Sequence, residues 1–536
     1  MSKPASRQFV ESLEQRTLMS AGLQGVYFDN SNFTGKSVSR VDSTVNFNWS
    51  GAPISGIGSD TFSVRWTGKV TPQYSQKYTF YVSNDNGARL WVNHKLIIDH
   101  WSSHSKIEDK GTISLSAGKS YDIQLEFWDN TGTATAQMKW SSTSQAKQTI
   151  PSSRLTSASQ NLLSSFDHTL VFAASQLKRT MTDLGNDVTK YVNRTSNPSG
   201  TWKTVTANDW TSGFLPGTFW QMFAATGNTF WSDKGKAWTL GLDSQKNQSG
   251  DLAFRLMTTY LPLYNLTKND IYRQVLLDAA ASKNKMWDET VGGFQTTWRK
   301  SSSGDPRANF GLLMDQTTDM QLMLWAAQQT NNQVYYDRAV RHIRNVIAHL
   351  LRPDGSSYQW GYFDTATGDF ISGENYQGLN NDSTWSRGES WAVYTLSAIA
   401  RTTGLPDILA GAQKAADYFI SHLPADSIPY WDFNDPKIPN TFRDSSAAAV
   451  TADGLIDLST QMTDPALALK YRSAAEKILK SLVSKTYFAE GSVSHGILLH
   501  GAQNVPNDPN GYGNDVSLIF GDYYFLEAIN RYRALG

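Results

Sequence analysis

The sequence of 536 residues contains no cysteine, and its 48 basic side chains are matched by 48 acidic ones. Disulfide bonds, thiolate nucleophiles and cysteine-ligated metal centres are therefore excluded. A nucleic-acid-binding protein normally carries a basic surplus, so the zero net charge predicts no nucleic-acid partner. No apolar run approaches the ~20 residues that cross a bilayer, so we expect no transmembrane segment.

Sugar binding is the first function that the composition favours. Aromatic residues make up 12% of the chain, with 18 tryptophans and 23 tyrosines. Flat rings can cover the apolar faces of pyranose sugars while a polar tip stays in water. A large aromatic core is the alternative, and composition alone leaves both open.

The first 21 residues carry early basic side chains but lack the apolar core of an ordinary secretory signal. From Glu11 to Ala21 they read ESLEQRTLMSA and resemble the LEPR-XLL segment at the start of many planctomycete surface proteins, with Gln15 in place of the proline. The resemblance implies an export-associated segment, which we expect to be disordered, and a location outside the cytoplasm (extracellular, cell-surface or periplasmic). A disordered tail without a targeting role is the alternative.

Residues 22–156 are predicted to form an all-β domain. The run from Phe62 to Trp66 alternates apolar and polar residues, as expected of an antiparallel strand with one buried face. Between two such runs, Asp85-Asn86-Gly87 suits a tight turn, because these residue types tolerate left-handed backbone angles.

This domain resembles the protective-antigen type of carbohydrate-binding module. The matching stretches are Gly25 to Phe28, Asn84 to Val92, Ile98 to Trp101, and Trp140. The resemblance implies a β-sandwich that binds polysaccharide. In sugar-binding relatives two adjacent aspartates at the turn hold calcium; here Asp85 is followed by Asn86, so a glycan and Ca²⁺ site is expected with a single charge. A purely structural module is the alternative.

Residues 157–536 show the apolar spacing of helices instead. Twelve segments carry it: residues 159–183, 213–226, 230–247, 251–264, 268–287, 309–330, 332–351, 387–403, 405–423, 445–462, 464–484 and 517–534. The connections after even-numbered segments are short, whereas those after odd-numbered segments are mostly long. Because short connections join antiparallel neighbours, this alternation predicts six helical hairpins with every long loop at one end.

The even-numbered segments are also apolar or small on all sides, as in Leu312-Leu313-Met314 and Ala447-Ala448-Ala449. A helix that is apolar all round is an inner one, so we expect an all-α (α/α) six-hairpin barrel of six inner and six outer helices. Function is expected at the long-loop end. The candidate residues that fall there are Trp210, Asp251, Asp315, Gln377, Arg387 and His500.

Two carboxylates, Asp251 and Asp315, are the candidate catalytic residues. Asp251 opens the fourth helix, where an aspartate is equally typical of a helix cap. Asp315 follows an apolar run, and a carboxylate in a barrel core is costly unless it is paired or protonated. Two neighbouring carboxylates raise the pKa of one of them, which gives an acid usable near neutral pH, although a helix N-terminus opposes this.

The spacing of the histidines indicates neither a metal site nor a catalytic triad. His342 and His349 share one face of an outer helix and are interpreted as structural. His100 and His104 lie in the β domain without a recognisable set of metal ligands. We therefore expect no metal centre in the helical domain and no Ser-His-Asp triad.

Residues from about 160 to 534 resemble glycoside hydrolase family 88, the unsaturated glucuronyl hydrolases. The matching stretches are Asn208 to Phe214, Gly250 to Phe254, Met314-Asp315, Arg352 to Tyr358, Gln377-Gly378, Ser383 to Trp391, Pro429 to Phe433, Arg443 to Ala447 and Gly521 to Tyr524. The family releases the terminal C4=C5-unsaturated uronic acid from oligosaccharides left by polysaccharide lyases. The resemblance implies a hydrolase that acts on such unsaturated uronyl oligosaccharides without a catalytic cofactor.

The resemblance also implies roles for individual residues. Asp315 protonates C4 of the vinyl ether and then takes a proton from the water that adds at C5, while Asp251 holds the sugar and tunes Asp315. The implied or candidate substrate-binding residues are Trp210, Trp298, Gln359, Gln377, Arg387, Trp391 and His500. Two family histidines are missing, because this chain has Gly250 and Gln359 at their positions, so the accepted sugar can differ from glycosaminoglycan disaccharides.

Two alternatives remain at this point. The unsaturated rhamnogalacturonyl hydrolases share the barrel, although the stretches above favour family 88. A catalytically inactive adhesin, whose β domain binds glycan, is the alternative from another class, and the two missing histidines are the argument for it.

Overall fold

The computed structural model describes residues 22–34, 36–157, 162–508, 511 and 513–535. The predicted export segment, residues 1–21, lies outside the described residues. The chain divides into two compact units, one ending at His168 and the other beginning at Thr169. Of the helices described, none is long and apolar enough to cross a membrane.

The first unit is built from two antiparallel sheets. Its strands are β1 (Leu23–Phe28), β2 (Ser37–Asp42), β3 (Asn46–Trp49), β4 (Ser63–Val70), β5 (Gln76–Asn84), β6 (Ala88–Val92), β7 (Lys95–His100), β8 (Ile107–Leu115), β9 (Tyr121–Trp128), β10 (Ala134–Ser142), β11 (Gln145–Thr149) and β12 (Leu155–Ser157). One sheet has the order β2-β1-β4-β9-β6-β7 with β12 against β4, and the other has the order β11-β10-β5-β8 with β3 against β10.

The two sheets enclose one apolar core. Trp66 and Phe127 from the first sheet and Tyr78 and Trp140 from the second are fully buried in it. Their burial follows from the period-2 alternation of each strand, which sends every second side chain to the same face. The predicted β-sandwich is therefore confirmed.

The second unit is helical. Its helices are α1 (Leu162–Asp183), α2 (Phe214–Thr226), α3 (Thr229–Leu240), α4 (Tyr260–Thr267), α5 (Asp270–Asn284), α6 (Asp319–Thr330), α7 (Gln333–His349), α8 (Ser386–Thr403), α9 (Pro406–Ser421), α10 (Ser445–Gln461), α11 (Pro465–Leu482) and α12 (Ile519–Ala534). Each corresponds to one of the twelve predicted segments.

The even-numbered helices form the inner ring. In α8 every residue from Ser386 to Ala400 is buried, and in α10 every residue from Ser445 to Ser459. Helix α8 packs against α6 and α10, α10 packs against α12, and α12 packs against α2. In α7, α9 and α11 the buried residues instead follow one face, as expected of outer helices. The barrel prediction is confirmed.

Four of the hairpins close with two-residue turns of one design. The turns are Gly227-Asn228, Lys268-Asn269, Asn331-Asn332 and Gly404-Leu405. The first residue of each is left-handed, with φ between 52° and 68°, and its N–H closes the preceding helix. In three of them the asparagine side chain accepts the N–H two residues ahead and caps the next helix.

The long connections contain strands that were not predicted: β13 (Tyr191–Thr195), β14 (Trp202–Val205), β15 (Trp287–Asp288), β16 (Gly293–Phe294), β17 (Phe310–Leu313), β18 (Trp360–Phe363), β19 (Phe370–Glu374), β20 (Gly501–Ala502) and β21 (Asn514–Val516). The prediction that a helix begins at residue 309 was therefore wrong. A short apolar run buried on both faces has no periodicity that separates a strand from a helix.

The prediction that the fourth helix begins at Asp251 was also wrong. Asp251 has a left-handed φ of 57°, which no helix contains. A π-helical turn from Ala253 to Met257 follows, and α4 begins only at Tyr260. Irregular backbone of this kind is frequent at functional sites.

Candidate active site

Asp251 and Asp315 lie together at the long-loop end of the barrel. Strand β17 carries the chain to Met314, whose N–H donates to the carbonyl of Gln359 over 2.9 Å. Asp315 then opens a 3₁₀ turn that leads into α6. The next residue, Gln316, donates its side-chain amide to Asp251 over 3.3 Å and so joins the two segments.

The pKa values of both carboxyls are raised. Burial raises the pKa of Asp315 to about 7, with the charge of Asp251 adding to the rise and Arg387 and Gln359 opposing it. Burial also raises the pKa of Asp251 to about 6, against the nearby cations Arg255 and Lys283. The Oδ1 atom of Asp315 is buried and has no hydrogen-bond partner. The site therefore presents a carboxylic acid that is half protonated near neutral pH.

The segment that carries Asp251 is held in place by the buried ion pair of Asp319 and Lys283. Asp319 accepts the N–H of Ala253 over 2.8 Å and pairs with Lys283 at 3.1 Å. Lys283 also donates to the carbonyl of Ser249 over 3.2 Å. These contacts hold the residues on either side of Asp251 and so keep Asp251 in its left-handed conformation. Sequence reasoning did not identify Lys283 or Asp319, because they lie on different helices and belong to no motif.

Three glutamines line the site beside the carboxyls. Gln359 donates its amide to Gln377 over 2.8 Å and accepts the backbone N–H of Gln377 over 3.0 Å. Gln316 accepts the hydroxyl of Thr296 over 2.8 Å. The predicted residues Gln359 and Gln377 are thus brought together next to Asp315, whereas Gln316 was missed because nothing distinguished it from its polar neighbours.

Gly250 is the reason that Gln316 fits. A Cβ atom at Gly250 would lie 2.3 Å from the Nε2 atom of Gln316, which is less than any van der Waals contact allows. Any larger residue at position 250 would displace the Gln316 amide from Asp251. Positions 250 and 316 are therefore coupled: the Gln316 amide occupies the space that a side chain at position 250 would fill.

Arg387 is buried and its donors are engaged by the protein. Its Nη1 atom pairs with Asp444 at 2.7 Å, and its guanidinium also donates to the carbonyls of Ala502 and Gln503. Only 2% of the residue is exposed. Its positive charge acts on Asp315 through space, while a direct contact with substrate stays a prediction.

The three candidate tryptophans differ in exposure. Trp298 is 53% exposed and its ring contacts those of Trp360 and Tyr376. Trp210 is half-buried against Phe520. Only 1% of Trp391 is exposed, so stacking on a sugar would require its neighbours to move. Trp298 and Trp210 thus offer ring surface to a ligand.

The described contacts of His500 are with Asp515, with the ring of Tyr487 and with the start of α10. Its Nδ1 atom is hydrogen-bonded to Asp515, and this bond raises the pKa of His500. Its backbone is left-handed, with φ of 61°, and its carbonyl accepts the N–H of Ser445 at the start of α10. His500 therefore positions α10, and its part in substrate binding stays a prediction.

The β domain has a recess of its own at the predicted turn. The recess has a volume of about 640 Å³, and its lining includes Asp85, Asn86 and Asn130. Behind it, Asp129 is fully buried, and burial together with the charges of Asp85 and Asp60 raises its pKa to about 6. Asp85 and Asp129 each keep one buried carboxylate oxygen without a hydrogen-bond partner. Asp129 was missed because it follows a different strand, 43 positions from Asn86.

Comparisons with known proteins agree with this division of the chain. The model of Glycosyl Hydrolase Family 88 matches residues 178–525, and that of the PA14 domain matches residues 19–154. The β domain is similar to part of the anti-sigma-I factor RsgI3 of Acetivibrio thermocellus, with 48% identity over 136 residues, which are 25% of this chain and 21% of that protein.

The helical domain is similar to an unsaturated glucuronyl hydrolase of Formosa agariphila, with 30% identity over 332 residues that make up 61% of this chain and 80% of that protein. It is also similar to the crystal structure of an unsaturated glucuronyl hydrolase specific for heparin, with 31% identity and a TM-score of 0.64 over 70% of this chain and 97% of that one. With the family match extending over well more than half of its length, the chain belongs to glycosyl hydrolase family 88 and carries an N-terminal PA14 domain.

Proposed function

We propose that this glycoside hydrolase releases the terminal C4=C5-unsaturated uronic acid from lyase-generated oligosaccharides, with Asp315 as the acid and base. The observation that carries the assignment is the state of Asp315: a pKa raised to about 7 and a buried oxygen with no partner. A group of this kind can donate a proton near neutral pH. The family membership supports the same reaction.

The chemistry needs one such carboxyl. Asp315 transfers its proton to C4 of the vinyl ether, and the ring oxygen stabilises the cation that forms at C5. Water adds at C5 and returns its proton to the Asp315 carboxylate. The resulting hemiketal opens, and the aglycone leaves. This differs from ordinary glycosidases, in which two carboxyls flank the anomeric carbon.

Asp251 acts on this step through position and charge. Its carboxylate raises the pKa of Asp315, so more of the acid form is present at neutral pH. The Gln316 amide, held by Thr296, orients Asp251. Arg387 supplies a buried positive charge that attracts the uronate carboxylate, which fits an acidic substrate.

The substrate preference follows from the residues at positions 250 and 359. Gly250 and Gln359 replace two imidazoles with an open position and a neutral amide. A neutral wall favours hydroxyl groups over sulfate, since an amide offers hydrogen bonds but no positive charge. We therefore expect the preferred substrates to be unsaturated uronyl oligosaccharides that carry no sulfate near the scissile bond.

The test is a substrate screen with purified full-length protein. Unsaturated oligosaccharides from chondroitin, hyaluronan, heparin, alginate, gellan, ulvan and rhamnogalacturonan are supplied, and loss of ultraviolet absorbance of the alkene is followed. Asp315→Asn should reduce turnover by at least about 10²-fold, whereas Asp278→Asn, on the exposed face of α5, should not. No decay on any product would favour the binding-only adhesin, and decay on rhamnogalacturonan products alone would favour the rhamnogalacturonyl hydrolases.

For the PA14 domain we propose polysaccharide binding with Ca²⁺ held by Asp85 and Asp129. The fit rests on their two unpartnered buried oxygens, which a hard cation would satisfy. Burial and the charges of Asp85 and Asp60 raise the pKa of Asp129, and a bound cation would offset these charges. Asn86 adds an amide oxygen but no charge, so the affinity should be modest.

The calcium proposal is tested by retention of full-length protein on immobilised polysaccharide with and without a chelator. Asp129→Asn should remove the calcium-dependent part of retention, while Asp99→Asn, an exposed change on β7, should leave it. Equal retention of wild type before and after chelation would reject calcium.

Export of the protein is likewise proposed, on the basis of the PA14 domain and the resemblance of residues 11–21. A reporter fused after residue 21 and expressed in a planctomycete should leave the cytoplasm. A reporter that stays in the cytoplasm would refute a targeting role.

A further inference from the structure

Three side chains of the PA14 domain converge at the end of β7. They are His100, the last residue of β7, His104 in the following connection, and Asp109 in β8. One ligand atom from each lies within 4.8 Å of the others, and within the part of the chain described this is the one such group of three or more histidines and acids. The centroids of the His100 and His104 rings are 4.2 Å apart, and Nδ1 of His100 lies 3.1 Å from Oδ1 of Asp109.

The tautomer of His104 leaves a free lone pair. Its Nδ1 atom lies 2.9 Å from the carbonyl oxygen of Ser105, and a carbonyl can only accept, so Nδ1 carries the proton. Its Nε2 atom is then an acceptor, and it is buried without any hydrogen-bond partner. A backbone carbonyl that fixes the second nitrogen in this way is the usual outer contact of a metal-bound histidine.

Asp109 is oriented in the same manner. Its Oδ2 atom accepts the side-chain amide of Asn84 over 3.1 Å, which leaves Oδ1 directed at His100. A simple His100–Asp109 ion pair would account for two of the three groups. It would not account for the second imidazole, whose buried nitrogen stays unsatisfied beside them.

We propose that His100, His104 and Asp109 bind a divalent transition-metal ion, with Zn²⁺ as the best-matched member. Two imidazole nitrogens and one carboxylate suit zinc, whereas calcium prefers oxygen ligands only. Three protein ligands are the number that leaves a fourth zinc position for water or a ligand. The site is open to solvent, since 37% of the His100 side chain and 21% of the Asp109 side chain are exposed.

The position of the metal gives it a role in glycan binding. His104 also lines the recess of about 640 Å³ that contains Asp85 and Asn86. The fourth position of the ion would therefore add a Lewis-acidic contact for a hydroxyl or carboxylate of a bound polysaccharide. The zinc ligands are distinct from Asp85 and Asp129, so the inference does not depend on the calcium proposal.

The experiment measures Zn²⁺ bound to full-length protein. The protein is stripped with a chelator, dialysed against ZnCl₂ and analysed for metal content and by titration calorimetry. Wild type should bind one equivalent. His104→Gln and Asp109→Asn should each weaken binding by more than the roughly 10–100-fold that loss of a residue behind a metal ligand costs. His94→Asn removes a histidine of the same domain outside the group and should bind as wild type does.

Two further measurements make the result decisive. Co²⁺ in place of zinc should give visible d–d absorption that His104→Gln lacks, and circular dichroism checks that each variant is folded. If one ligand variant fails to fold, the other still decides. Absence of Zn²⁺ binding by wild type, binding by both ligand variants as tight as that of wild type, or displacement of the zinc by millimolar Ca²⁺ would overturn the proposal.

Discussion

Replacing Asp251 by asparagine should move the alkaline limb of the pH–rate profile to lower pH. The reaction needs Asp315 protonated, and its pKa is raised from 3.8 to about 7. At pH 7 half of the enzyme then carries the proton, whereas at the ordinary value roughly one molecule in 1,500 would. In wild type, kcat/KM should therefore fall about tenfold per pH unit above the limb near pH 7.

Asp251→Asn removes a negative charge that holds the proton on Asp315, so the pKa of Asp315 falls and the limb moves downward. For each pH unit by which the limb moves, the carboxyl pair has lost about 1.4 kcal/mol of interaction. The asparagine keeps the left-handed backbone and a hydrogen-bonding group beside Gln316. The variant therefore changes charge with little change in shape.

The assay is alkene loss under kcat/KM conditions from about pH 4.5 to 9, with each variant normalised to its own maximum. Normalisation separates a change in pKa from any loss of binding. Asp278→Asn serves as the control for a charge change at a partly exposed residue outside the carboxyl pair. A wild-type limb near pH 4, or a limb at the same pH in Asp251→Asn and wild type, would refute the electrostatic coupling of the two carboxyls.

Other substitutions test the remaining parts of the site. Gly250→Ala and Gln316→Ala should each lower kcat/KM, and the double variant should lose no more than either, because both disturb one contact; additive losses in a double-mutant cycle would contradict this. Trp298→Ala should raise KM about 2- to 10-fold with kcat unchanged if its exposed ring stacks on the aglycone; steady-state kinetics decide. Asp315 binds its proton more tightly in the folded than in the unfolded chain, so the stability of wild type falls as pH rises from about 4 to 7. Asp315→Asn should consequently melt higher than wild type at pH 8 and lose that advantage at pH 4, and calorimetry showing equal melting temperatures at pH 8 would count against the raised pKa.

The barrel was predictable because its signals are repeated. Inner helices such as α8 and α10 are buried on almost every side, and four of the short turns contain a left-handed residue, as at Gly227 and Asn331. A pattern repeated twelve times tolerates several weak segments, so helix number and order were recovered. The strand Phe310–Leu313 was not, since a buried apolar run of that length is compatible with both structures.

The site could be predicted only where its residues belong to stretches that are recognisable in the sequence. Asp315 and Gln359 belong to recognisable stretches, and the structure brings them together. Gln316 and Lys283 act through contacts between segments far apart in sequence, and no local pattern encodes such a contact. The same holds for His100, His104 and Asp109, whose grouping depends on the contact between β7 and β8, two strands of different sheets. The sequence interpretation that the two histidines lack a recognisable set of metal ligands did not include Asp109 for this reason.

The left-handed backbone of Asp251 restricts how this enzyme can change over time. Few residue types accept φ of 57° without strain, and asparagine is among them. A single nucleotide converts an aspartate codon to an asparagine codon, so one accessible neighbour of this sequence keeps the backbone conformation while removing a charge beside the acid. A change in the working pH of the enzyme is thus one mutational step away. A lineage in a more acidic habitat could take that step without first passing through a strained backbone at position 251.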